Sequence, residues 1–259
     1  MTRRRTEWAP AVVTAMAMIA TPLARRGGST RRALASVVVT GLCATTSGAT
    51  SRVWGPRRTA GAFGAIAVGT GVVERIGTAT GVPFGGYAYT GQLRPHIGGV
   101  PVIVPLAWFA MAVPSREAAH AALAERSTPA SRIIGGAAAL TAWDLFLDPQ
   151  MVGEGYWGWQ RRGRYRGIPA SNFVGWFITA LGVMAALEVA LPVADRRVTE
   201  SGAADDVLVG EYATMAVMET LGFAAFFKDR VVAAVGGAAM LPIAAAAVRG
   251  LRLARNRHG

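Results

Sequence analysis

The sequence predicts an all-α protein: a polytopic transmembrane bundle of about seven or eight helices, forming a single integral membrane domain over residues 1–259. Of its 259 residues, 52% are hydrophobic and only 16% are charged, whereas soluble domains carry about 25% charged residues. The mean hydropathy is +0.35, and the apolar residues form successive runs of about 17–21 residues, close to the length that crosses a bilayer. These runs are rich in alanine, glycine and valine, which let helices approach closely in lipid.

Eight apolar runs can be placed along the chain, separated by short polar or basic segments. The first is short and follows a basic tip, as in a signal peptide, but the further runs after it favour a first span. Pro101 and Pro105 predict a kink in the fourth run. A polar connection is expected at 114–131 and a basic tail at 249–259. The runs cover residues 8–24, 33–50, 60–77, 100–113, 133–147, 173–191, 207–227 and 231–248.

The charge of the chain points to membrane topology rather than to nucleic acid. The net charge is +12, but the arginines lie in short segments between apolar runs, where topology signals occur, and no basic face remains for a nucleic acid. Cys43 is the only cysteine and the three histidines are scattered, so no metal centre is expected. The sequence contains no dinucleotide-binding fingerprint, and we expect no cofactor.

Two loops rich in glycine and aromatic residues should emerge on the same side of the membrane. They cover residues 78–99 and 149–172, and two predicted spans separate them. Carboxylates precede both loops, Glu74 before the first and Asp144 and Asp148 before the second. One face of the membrane therefore collects three carboxylates and two aromatic loops, which indicates an active-site or binding face. The arginines at 161–166 favour the cytoplasmic side for this face, against a similar number of basic residues on the other side.

The paired aspartates are the strongest candidates for chemistry. Residues four apart share a helix face, so Asp144 and Asp148 should point the same way, one turn apart, before Pro149 ends the helix. A carboxylate within a span costs roughly 2.5–3.5 kcal/mol on insertion scales and is a functional candidate by default. The alternative is pairing with a loop arginine such as Arg75 or Arg94, or contact between helices. Further carboxylates of this kind are Glu74, Glu211 and Glu219.

Aromatic side chains surround the predicted carboxylate site. They could line a groove for a rod-shaped apolar substrate and stabilise a developing carbocation, or they could be an aromatic belt at the membrane interface. Asn172 could cap the sixth helix or orient a water molecule. The aromatic candidates for substrate binding are Phe84, Tyr87, Tyr89, Trp143, Trp157, Trp159 and Trp176.

Two long motifs are similar to those of a known family. TGVPFGGYAYTGQLRPHIGGVPVIVPLAWF (80–109) and LTAWDLFLDPQMVGEGYWGWQRRGRYRGIPASNFVGW (140–176) resemble the CruF-type carotenoid hydratase family. The resemblance implies a membrane enzyme of carotenoid biosynthesis that adds water to the terminal C=C of a ψ-ended carotenoid, giving a tertiary alcohol without a cofactor. It also implies the lipid bilayer and a hydrophobic carotenoid as partners, contact with other enzymes of the pathway, and a place in the bacterial plasma membrane.

Under this interpretation Asp144 donates the proton, Asp148 binds and activates water, and Glu74 is the alternate base. Trp143 and Tyr87 would shield the tertiary cation. Three rival functions remain open at this point. A membrane lycopene cyclase would capture the cation with an alkene, and a membrane prenyltransferase would use the DxxxD pattern with Mg²⁺. A transporter or channel would use the carboxylates along a pathway.

Overall fold

The computed structural model describes residues 2–196 and 205–258, and the predicted all-α bundle is confirmed over these ranges. Eight α-helices lie within them, accompanied by four short strands. The strands are β1 (Tyr87–Tyr89), β2 (His96–Ile97), β3 (Val100–Pro101) and β4 (Trp157–Trp159). The helices are α1 (Thr2–Ala20), α2 (Ser29–Trp54), α3 (Pro56–Thr80), α4 (Ile103–Leu123), α5 (Pro129–Gly153), α6 (Ala170–Ala190), α7 (Asp206–Ala225) and α8 (Arg230–His258).

Four of these helices are long and apolar enough to cross a membrane. They are α2, α6, α7 and α8, with mean hydropathies of 1.4, 1.9, 1.2 and 2.2 over their most apolar windows. A shorter apolar helical segment, Ala9–Leu23, covers most of the first predicted run. The chain is therefore a membrane protein. Residues 197–204, which belong to the predicted polar loop before α7, lie outside the described residues.

The two aromatic loops meet on one side of the bundle, as predicted. Strand β1 from the first loop pairs antiparallel with β4 from the second, and Tyr87 lies opposite Trp159 while Tyr89 lies opposite Trp157. Side chains alternate between the two faces of a strand, so these four aromatic residues share one face of the ribbon. We call this side of the bundle the loop face.

The fourth helix differs from its prediction at both ends. Val100–Pro101 forms a two-residue hairpin strand with His96–Ile97, and α4 begins only at Ile103. The predicted kink is therefore wrong, because Pro105 falls in the first turn, where its missing N–H needs no partner. The helix also continues through Pro114 into the predicted polar connection. The predicted basic tail is helical, since α8 continues through it to His258.

Charged residues extend α4 because they are paired inside the bundle. Arg116 and Glu117 are fully buried, and Arg116 Nε lies 2.7 Å from Glu188 Oε1 on α6. Arg132 on α5 approaches the other oxygen of Glu188 at 2.6 Å, and Arg196 pairs with Glu117. We call these five residues the charged cluster. In the sequence alone, such charged residues indicate a loop. In the structure they pair with one another and hold α4, α5 and α6 together on the side opposite the loop face.

The fifth helix does not end at Pro149, contrary to the prediction. It runs to Gly153 with the proline inside it. A proline within a helix leaves the carbonyl four residues earlier without its amide donor, here the carbonyl of Leu145. The Tyr165 hydroxyl from the following loop donates to that oxygen at 2.8 Å. The loop therefore supplies the missing hydrogen bond, and the helix continues past Asp148.

Close packing of α8 on α4 gives a test of the fold. A Cβ built on Gly250 would lie 1.9 Å from the carbonyl oxygen of Ala121. We expect Gly250→Ala to lower the free energy of unfolding by about 1–3 kcal/mol, because the backbones must separate. Thermal unfolding in detergent micelles measures the change. Gly210→Ala is the matched control, since a Cβ there meets nothing within 4 Å; equal melting temperatures for the two variants would contradict the packing described.

Candidate active site

The two aspartates of α5 form a buried pair that shares one amide. Asp144 and Asp148 are 0% and 2% exposed. The Asn172 side-chain amide, from the first turn of α6, donates to Asp144 Oδ2 at 3.0 Å and also to Asp148 Oδ2. Trp157 Nε1 from β4 donates to Asp148 Oδ1 at 2.9 Å. Asp148 therefore has a donor on each oxygen, whereas Asp144 Oδ1 has no partner among the described residues.

Two carboxyl groups held together in this way should retain one proton between them. Burial in apolar surroundings disfavours a carboxylate, and a second negative charge beside it disfavours it further. Such a pair titrates as a unit. The donors are distributed unequally: the oxygens of Asp148 are occupied as acceptors, and Asp144 Oδ1 is open. The arrangement is that of a carboxylic acid beside a carboxylate that accepts hydrogen bonds.

Glu74 of α3 is a separate carboxylate held by three donors. Its Oε2 accepts from the Tyr87 hydroxyl and, at 2.7 Å, from the Tyr89 hydroxyl. Its Oε1 accepts from Trp108 Nε1 at 3.1 Å. Burial and the nearby Glu74 raise the pKa of both tyrosines above the usual value, so both phenols stay protonated and act as donors. These bonds replace the alternative pairing of Glu74 with a loop arginine.

Aromatic rings enclose the space between the carboxyl groups. Trp108 and Trp176 stack with centroids 4.0 Å apart and an interplanar angle of 14°, and Trp143 meets Trp176 edge-on at 6.2 Å. On the ribbon, Tyr87 lies 5.8 Å from Trp159 and Tyr89 lies 5.7 Å from Trp157. These rings pack against one another and against the carboxyl groups, as a lining for an apolar substrate requires.

A largely apolar cavity of about 390 Å³ opens beside these groups. Its wall includes Glu74 and Asp148 but not Asp144, which is fully buried. Residues of α1, α2, α4 and α7 complete the wall. The structure thus brings the candidates predicted from sequence to one place; those on the wall are Glu74, Phe84, Tyr87, Tyr89, Trp143, Asp148, Trp157, Trp159, Asn172 and Trp176.

A second pocket, of about 460 Å³, lies on the loop face. Charged side chains line it, among them Glu154 and Asp229. Gln150 and Phe227 belong to the walls of both spaces. This pocket thus adjoins the apolar cavity just beyond Asp148.

Asn172 does not cap α6, so the first of its two predicted roles is wrong. Pro169 occupies the cap position, and Asn172 lies in the first helical turn with its side chain 1% exposed. Its amide orients the aspartate pair instead. Among the described residues no three histidine, cysteine, aspartate or glutamate side chains converge as metal ligands.

Sequence reasoning missed Trp108, which both supports Glu74 and stacks on Trp176. The available signal was an indole inside an apolar run, because a buried Trp N–H normally requires an acceptor. Gln150, on the wall shared by the cavity and the pocket, was also missed. Nothing in its sequence context distinguishes it from an ordinary residue at the end of a helix.

Comparison with known proteins places the chain among carotenoid proteins. Residues 32–244 match the family model described as carotenoid biosynthesis protein. A bisanhydrobacterioruberin hydratase of Haloarcula japonica is 29% identical over 109 residues, which is 41% of this chain. The match spans only 37% of that relative's length. No solved structure matches the chain. Because the family model covers most of the sequence, the chain belongs to the carotenoid biosynthesis protein family.

Proposed function

We propose that this protein is a carotenoid hydratase, which adds water to the terminal C=C of a ψ-ended carotenoid and leaves a tertiary alcohol. The observation that carries the proposal is that two carboxyl groups, one from the aspartate pair (Asp148) and the separate Glu74, lie on the wall of an aromatic-lined apolar cavity inside a membrane bundle. The family match and the name of the hydratase relative support the same chemistry. Nothing in this reaction requires a redox cofactor.

The aspartate pair is the acid of the proposed reaction. Its shared proton is transferred to the terminal alkene, a C–H bond forms, and the adjacent tertiary carbon becomes a cation. The prediction from sequence makes Asp144 the direct donor. Both Asp148 oxygens accept hydrogen bonds, so the shared proton rests on Asp144. Asp148 lies on the cavity wall, and in this scheme the proton passes from Asp144 to Asp148 as Asp148 gives a proton to the alkene.

Glu74 and the aromatic rings stabilise the cation in this scheme. Glu74 accepts from three donors, whereas Asp148 shares one amide donor with a second carboxyl that can hold a proton. A fixed negative charge therefore suits Glu74 better than the role of base. Ring faces of Trp143 and Trp176 add cation–π attraction in a site with little water. Water then forms the C–O bond and gives its extra proton to the carboxylate pair, which ends the cycle as it began. The polar pocket next to Gln150 is the proposed source of that water.

The proposed setting follows from the substrate. A carotenoid is dissolved in lipid, so the bilayer is both the solvent of the protein and the reservoir of its substrate, and other enzymes of carotenoid biosynthesis would act in the same membrane. We place the protein in the bacterial plasma membrane.

Expression in a host that makes lycopene tests the proposed function. We expect a new carotenoid whose mass exceeds that of lycopene by one water for each hydrated end, measured by mass spectrometry of the extracted pigments. A product of unchanged mass with a ring at its end would instead show a cyclase. Dependence on Mg²⁺ with release of diphosphate would show a prenyltransferase, and movement of unaltered substrate into proteoliposomes would show a transporter.

A further inference from the structure

Glu219 of α7 is a third carboxyl group on the wall of the apolar cavity. It is half-buried, and the residues beside it on the same wall include Met215, Met218 and Gly222. Within residues 2–196 and 205–258 its side chain has no hydrogen bond or ion pair. Glu211, two turns earlier on the same helix, is different, because it accepts from Thr46 and lies off the cavity.

The proposed reaction assigns no role to Glu219. The acid is the aspartate pair, and the fixed charge is Glu74. Asp148 and Glu74 are held by donors from the ribbon, from α4 and from α6, whereas Glu219 comes from α7 and shares none of those donors. Its position along the bundle is nevertheless similar. Glu219 lies six residues before the end of α7 and Asp148 five before the end of α5, so both lie roughly 7–9 Å below the loop face.

A carboxyl group at this place should discriminate between ligands. A hydrocarbon that fills the cavity would displace water from Glu219 and leave a buried polar group without a partner, which is costly. A hydroxyl group on the ligand would satisfy it, since a hydroxyl both donates and accepts and matches either ionisation state of the carboxyl. An amine is less suitable because a second charge would have to be buried in the same apolar wall.

We propose that Glu219 is a hydroxyl-binding anchor, so that the preferred ligand is an acyclic carotenoid already carrying an alcohol near the end that reacts. This inference rests on the proposed function for the identity of the ligand class, but not on turnover. The cavity would then hold one end group between an acid on one wall and an alcohol acceptor on another.

Binding measured without catalysis tests the anchor. The full-length protein carrying Asp148→Asn is titrated in detergent with lycopene and with an acyclic carotenoid bearing a tertiary hydroxyl, and quenching of tryptophan fluorescence reports binding. We expect the hydroxylated carotenoid to bind more tightly. Adding Glu219→Met, which matches its methionine neighbours in size and polarity, should reduce that preference about tenfold, the value of roughly one hydrogen bond.

Two further variants make the result specific. Glu219→Gln keeps an acceptor and should retain most of the preference, whereas Glu211→Gln, on the same helix but off the cavity, should leave it unchanged. The same preference with Glu219 and with Glu219→Met would overturn the anchor, as would a Glu219→Met change that weakens binding of both carotenoids by the same factor. A shifted preference together with a wild-type protein that hydrates neither carotenoid in the expression host would retain the anchor and reject the hydratase. Failure of both carotenoids to bind would reject both proposals.

Discussion

Replacing Asp148 by asparagine should abolish hydration while the protein remains folded in the membrane. The asparagine keeps the shape of the side chain but carries no acidic proton to the cavity wall. General acid catalysis by a positioned carboxyl contributes about 10²–10⁴-fold to a rate, so the product should fall by at least that range. Pigment extracted from a lycopene-producing host, analysed by mass, measures the loss.

Asp144→Asn is the companion variant, and it disturbs the hydrogen bonds of the site less than Asp148→Asn does. Its amide oxygen can still accept from Asn172, and its NH₂ group takes the place of the unpartnered Oδ1. Without the second carboxyl the pair loses the group that holds the shared proton, and hydration should again be lost. The control is Glu211→Gln, a buried carboxyl off the cavity, which should remain active. Wild-type rates in both aspartate variants would exclude the pair as the acid.

Replacing Arg116 by methionine should cause a large loss of stability. The guanidinium is fully buried and donates to Glu188 at 2.7 Å, to Glu117 at 3.2 Å and to the Leu191 carbonyl at 2.9 Å. Glu188 and Glu117 would then each keep a single arginine partner within the charged cluster. Removing one charge from such a buried ionic network costs about 3–5 kcal/mol. Thermal unfolding of the detergent-solubilised protein, followed by circular dichroism, should show a lower melting temperature.

An exposed ion pair provides the control for this prediction. Arg255 and Asp206 pair at the surface with side chains 54% and 43% exposed, and such pairs contribute about 0–1 kcal/mol. Arg255→Met should therefore change the melting temperature little. Below its melting temperature the Arg116 variant should still hydrate, because the charged cluster lies away from the loop face. An Arg116→Met protein as stable as the wild type would contradict the buried network.

Much of the site could be predicted from sequence because its signals are local. The four-residue spacing of Asp144 and Asp148 requires only a helix. The meeting of the two aromatic loops requires only that two spans separate them, and the β1–β4 pairing confirms it. The helix count follows from hydropathy alone, and the motifs that resemble a carotenoid family agree with the family found.

The remaining features depend on contacts between residues far apart in the chain. Charges at Arg116 and Glu117 indicate a loop until Glu188, more than seventy residues later, is known to pair with Arg116. Pro149 indicates a helix end until Tyr165 supplies the hydrogen bond that the proline lacks. Asn172 resembles a cap until α5 is packed beside it. In each case a partner from another helix or loop reverses what the residue would favour alone.

The β1–β4 ribbon constrains how the two loops can diverge. Because side chains alternate along a strand, a one-residue insertion in either loop would turn Tyr87, Tyr89 or their partners away from the cavity. Glu74 would then lose two of its three donors. The loops must therefore evolve in concert, and a chimera between relatives would have to exchange both together, although about seventy residues of chain separate them.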